Sequence, residues 1–132
     1  MNKPILCLDF DGVIHAYNSK WVDDVTILDD ITPGFFEWAE EANKYFRLVI
    51  YSSRSKNKKA CEAMLFWLKD QREKWRNNGG KHTLENPLGF EFASEKPPAF
   101  LTIDDRALTF NGNWNDFDPK RLVKFKPWNK IK

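Results

Sequence analysis

The chain has 132 residues, 42% of them hydrophobic and 30% charged, which describes one domain with a core of its own and excludes a disordered tail. Its 21 Lys and Arg nearly balance its 19 Asp and Glu, for a net charge of +2. That excludes capture of a polyanion by bulk charge and leaves only local patches for such a role. Cys7 and Cys61 lie far apart in apolar runs, so they read as small buried hydrophobes of a reducing compartment, not as a disulfide or zinc framework. No stretch reads as a signal peptide or membrane span, and a soluble, cytoplasmic protein is expected.

Residues 4–8 form a short apolar run stopped by Asp9, Asp11 and Gly12, the pattern of a buried strand. Residues 13–30 read as a loop with a small hairpin around 25–28. Thr32 and Pro33 suit the cap and first position of a helix, and Phe35, Trp38, Ala39, Ala42 and Phe46 follow at helical spacing. Residues 47–51 give a second buried strand, ending at Ser52 and Ser53. Ala60, Met64, Trp67, Leu68, Gln71 and Trp75 mark one side of a second helix, stopped by residues 77–80. A third strand at 89–93, a fourth at 99–103 and a candidate fifth at 108–110 follow, with a short helix from Asp118 to about Phe125.

Strand and helix in alternation predict an α/β domain with a central parallel sheet covered on both faces. Ligands of such sheets bind beyond the carboxyl ends of the strands. The polar residues there are Asp9 and Asp11, Ser52, and Asp104 and Asp105, with Lys96 just before the fourth strand. Converging carboxylates repel one another, and a divalent cation removes the conflict; all-oxygen ligation favours Mg²⁺. Strand geometry puts Asp9 and Asp11 on one side, roughly 6–7 Å apart along the chain. With a hydroxyl and an ammonium beside them, these acids suit a phosphoryl group. Arg54, Lys56, Lys58 and Lys59 crowd the start of the second helix, where an anionic substrate would explain cations.

The run DFDGVI at 9–14, Ser52, Lys96 and the pair Asp104 and Asp105 occur in an order that resembles the haloacid dehalogenase-like phosphohydrolase superfamily. The resemblance spans residues 5–105 and implies a Rossmann-like three-layer sandwich. It also implies Asp9 as nucleophile, Asp11 as general acid and base, and Ser52 and Lys96 as phosphoryl-binding residues. Ser53 competes with Ser52, and Arg54 joins them as a candidate. Mg²⁺ is implied on Asp9, Asp11 (through its backbone carbonyl) and Asp104, with Asp105 as a further ligand or neighbour. Lys96 precedes the last acidic pair, which separates the chain from response-regulator receivers. Too few residues lie between the motifs for a separate cap, so a single domain over 1–132 with a small flap at 14–31 is expected.

The run IDDR at 103–106 resembles the phosphatase domain of polynucleotide kinase-phosphatases. The expected activity is hydrolysis of a phosphomonoester through an aspartyl-phosphate. Its substrate would be a phosphorylated small molecule such as a nucleotide, or a nucleic-acid end. The rival readings are a metal-dependent nuclease and a non-catalytic phosphate-binding module. His15, near the mouth, is a candidate substrate contact; His82 has no assigned role. The basic tail with Phe125 and Trp128 reads as packed through its aromatics in preference to binding nucleic acid.

Overall fold

The computed structural model describes residues 3–80 and 90–130. Its elements run β1 (Ile5–Leu8), α1 (Phe35–Ala42), β2 (Arg47–Tyr51), α2 (Lys58–Asn77), β3 (Phe90–Ala93), β4 (Leu101–Ile103) and α3 (Pro119–Leu122), with short 3₁₀ turns at Ser53–Lys56, Trp114–Asp116 and Trp128–Lys130. The fold is α/β, built on a parallel four-stranded sheet in the order β3-β2-β1-β4. All strands point the same way, so all their carboxyl ends meet at one edge.

Alternation along the strands sorts the side chains. Leu6, Leu8, Leu48 and Ile50 join Phe35, Phe36 and Ala39 of α1 and Met64 and Leu68 of α2 in one core, with Phe90 and Phe92 packed against it. Each fully buried side chain of this size stabilises the fold by about 1.5–3 kcal/mol. Cys7 and Val49, of the opposite parity, are also buried, while Arg47 and Glu91 form an exposed bidentate pair there. Both cysteines are free. Among the described residues no helix is long and apolar enough to cross a membrane.

Several local expectations change. Thr32 does not cap α1. Its hydroxyl donates to the Val13 carbonyl at 2.9 Å and its N–H to Ile14, which ties it to the loop after β1. The chain then turns through Gly34 in the left-handed region, at φ 86°, and α1 starts at Phe35. Trp38 is 39% exposed, so it is not a core residue, whereas Trp67 and Trp75 do pack against the core. Residues 25–28 form no hairpin and 108–110 no strand; Leu108 and Phe110 are exposed. α2 keeps its expected face, burying Ala60, Met64, Leu68 and Gln71. It starts at the Asn57 side chain, which accepts from Lys59 N–H at 2.9 Å. The third strand is described from Phe90, and Gly89, His82 and Lys132 lie outside the described residues.

Candidate active site

β1 pairs with β4 so that Leu8 stands opposite Ile103, and Asp9 N–H donates to the Ile103 carbonyl at 3.0 Å. The register therefore brings the next residues, Asp9 and Asp104, to the same level on adjacent strands, about 4.8 Å apart at the backbone. Carboxylate oxygens of Asp9, Asp104 and Asp105 all lie within 4.8 Å of one another. Burial raises the Asp9 carboxyl to about 7, and the charges of Asp104 and Asp105 and a hydrogen bond shared with Asp105 add to it. A backbone N–H from Phe10, 2.8 Å from Asp9 Oδ1, opposes the rise. Asp105 is raised too, chiefly by burial. The three acids thus hold a charge conflict that a cation or a proton relieves.

Gly12 makes the close approach to Asp105 possible. Its φ is 83°, and a Cβ there would overlap the Asp105 carboxylate. The turn around it is tight, with the Phe10 carbonyl accepting from the N–H groups of Val13, Ile14 and His15. β1 has already ended at Leu8, so strand alternation does not govern Asp11. That corrects the expectation for its carboxylate, which is not part of the acid triad.

The Asp11 carboxylate is held by a different set of partners. Its Oδ1 lies 2.8 Å from His15 Nδ1 and its Oδ2 accepts from Arg54 Nε at 2.8 Å. These two hydrogen bonds outweigh burial and hold the Asp11 carboxyl below its usual range. Asp29 N–H donates to His15 Nε2 at 3.1 Å, which fixes the other nitrogen as the one that carries the proton toward Asp11. His15 is 2% exposed, stacked on Phe10, with Tyr17 tilted beside it and Trp67 edge-on. It is a support for Asp11, not a surface contact. No spacing rule marks that role; the only sequence signal is its position four residues after Asp11.

Arg54 is also placed differently from the expectation. It is 1% exposed, and its guanidinium donates to the carbonyls of Asp23 and Thr26 and lies 4.4 Å from the Trp21 ring centroid. Its Nε and Nη1 donors serve Asp11 and the loop 16–30, so the side chain is buried as a tie between them and is not presented at the surface. That loop is closed at its base by Ala16 N–H to Asp30 O and Thr32 N–H to Ile14 O. Trp67 Nε1 and both the N–H and hydroxyl of Ser19 fasten Asp29 within it.

Ser52 is buried one residue beyond β2, and its Oγ accepts from Arg54 N–H at 3.2 Å. Ser55 completes the turn by accepting from Ser52 N–H. Ser53 is exposed at the first position of that turn. Lys96 is exposed on the loop before β4; its charge reaches the Cys7 thiol beneath Asp9, which burial pushes up. The chain's last described segment closes over the turn after β1. Trp128 Nε1 donates to the Gly12 carbonyl at 2.6 Å, and Asn129 Nδ2 to the carbonyls of Ala16 and Tyr17. The tail is therefore packed, through Trp128 and Asn129, against the site.

Comparison of the chain with family models, with curated proteins and with solved structures gave no match.

Proposed function

We propose that the chain is a Mg²⁺-dependent phosphohydrolase of the haloacid dehalogenase-like type, with a Rossmann-like core and no separate cap. The observation that carries this reading is the meeting of Asp9, Asp104 and Asp105 at the carboxyl ends of β1 and β4. The donor set suits Mg²⁺, since it is all oxygen, small and rich in negative charge. The raised Asp9 carboxyl supports the same fit, because the site without a cation retains a proton in its place. Asp9, Asp104 and Asp105 would hold the ion. Bound there, Mg²⁺ supplies positive charge to the phosphoryl oxygens and orients the group.

The protein's own groups do the rest. The Asp9 carboxylate attacks phosphorus, the bond to the leaving oxygen breaks, and an aspartyl-phosphate forms. On the resemblance Asp11 is the acid and base. Because His15 and Arg54 occupy both its oxygens here, it would have to release one of them and take up a proton before protonating the leaving oxygen. It would then take a proton from the water that attacks phosphorus, releasing inorganic phosphate and restoring Asp9. Arg54 and His15 hold Asp11 in one orientation through both of its oxygens. Ser52 hydrogen-bonds a phosphoryl oxygen and Lys96 balances its charge. The substrate is a phosphomonoester.

The test is release of phosphate from a panel of nucleotides, sugar phosphates, aryl phosphates and phosphorylated oligonucleotides, with and without Mg²⁺. The expected result is Mg²⁺-stimulated release, lost by about 10³-fold or more in Asp9→Asn with unchanged circular dichroism. Full turnover by that variant, or none by the parent across the panel, refutes the reading.

A further inference from the structure

A groove leaves the acid triad along the flank of α1. Nearest the triad it is a cavity of about 430 Å³ whose lining includes Gly12, Asp104, Asp105 and Trp128. It continues into a second cavity of about 320 Å³ that reaches Trp38. Val13, Thr32, Pro33 and Ile103 line both, so the two adjoin. It exists because β4 is the edge strand and α1 and α2 pack over the strands beside it, leaving Ile103 41% exposed.

The chemistry of the walls is uniform. Among the described residues neither cavity is lined by a Lys, Arg or His, and the charges in the lining are the two acids at the mouth. The Thr32 hydroxyl already donates to Val13, and the Trp128 indole N–H to Gly12. Among the described residues the groove thus offers apolar surface and two indole rings, with no cationic side chain to meet an anion. Its size falls in the range of small-molecule pockets.

The geometry points to this groove as the seat of the leaving group, and to an uncharged aromatic ring as that group. This rests on the phosphohydrolase reading, which it narrows. A substrate with its phosphoryl group at Asp9 has an apolar groove beside the acids to receive a ring. A further phosphate seated in the groove, as in a polynucleotide or nucleoside triphosphate, would find no Lys, Arg or His among the described lining residues.

The test compares 2-naphthyl phosphate with ethyl phosphate on the full chain in Mg²⁺. The naphthyl ester should have the higher kcat/KM by about tenfold or more, the scale of an apolar group seated in a pocket. Trp38→Ala should collapse that ratio through KM, while Phe66→Ala, on the exposed face of α2, should keep it. Equal kcat/KM for the two esters in the parent chain, or an unchanged ratio in Trp38→Ala, overturns the proposal. Mass that grows with concentration, with no preference for the ring, also overturns it by assigning the groove to a second copy.

A binding arm separates the two readings. Naphthylmethylphosphonate should bind the parent more tightly than methylphosphonate, and Trp38→Ala should lose the difference. That preference without turnover of any ester keeps the groove and removes the hydrolase. Turnover without it does the reverse.

Discussion

Asp9→Asn should stabilise the metal-free protein while abolishing its turnover. The carboxyl is moved from 3.8 to about 7 in the folded chain, first by burial and then by Asp104 and Asp105. A raised acid destabilises the fold as pH rises: the unfolded chain has lost its proton above about 4, and the folded chain must lose it too by about 7. At about 1.4 kcal/mol per tenfold, the full cost at pH 8 is about 4 kcal/mol. Asn keeps the shape and still accepts from Phe10 N–H, but Asp105 retains its own burial, so about 2 kcal/mol is the expected gain. For a chain of this length that raises Tm by roughly 6–10 °C. Thermal melts in EDTA at pH 4 to 8 measure it. The gain should be small at pH 4, grow to pH 7 and level off above. A destabilised variant at pH 8, or a gain independent of pH, refutes the reasoning.

Mg²⁺ should raise the Tm of the parent chain at pH 8, lose that effect at pH 5 as Asp9 keeps its proton, and have little effect on Asp9→Asn; calorimetric titration at the two pH values checks it. Gly12→Ala should cost about 1–2 kcal/mol for its positive φ alone and weaken Mg²⁺ binding by pushing Asp105 aside, read by urea unfolding and titration. Arg54→Met should cost about 3–5 kcal/mol, because Asp11 and two loop carbonyls lose their donor; a loss under about 1 kcal/mol in urea melts would show that the network carries little. Gln71→Leu should cost about 1–3 kcal/mol in the same melts, since Gln71 accepts from Ile31 N–H and donates to Asp30.

The sheet was legible because its strands are short apolar runs stopped by acids or serines. The expected cover on both faces does not follow from that pattern, since α1 and α2 both join the face of Leu6, Leu8, Leu48 and Ile50 and β4 is exposed along its length. From parallel strands alone it follows that Asp9 and Asp104 end at one edge. The expectation that the Asp11 carboxylate joins that of Asp9 failed because the strand rule was carried past Leu8, into a turn governed by the Phe10 carbonyl and Gly12. Arg54 was misread for a different reason. Its partners are the Asp11 carboxylate, 43 residues away in sequence, and the backbone carbonyls of Asp23 and Thr26, and neither a distant acid nor a loop carbonyl has a local sequence signature. Thr32 looked like a helix cap because Thr followed by Pro is a good one; the competing bond to Val13 comes from a contact distant in sequence. The groove was invisible for the same reason, since Val13, Trp38, Ile103 and Trp128 become neighbours only through the sheet order.

The most direct measurement is whether beryllium fluoride forms an adduct on Asp9 in the presence of Mg²⁺, followed by fluorine NMR. The expected result is a bound signal in the parent chain that disappears on adding EDTA and is absent from Asp9→Asn. No bound signal in the parent chain, or one that survives in Asp9→Asn, would contradict a phosphoryl-accepting Asp9 at the magnesium site.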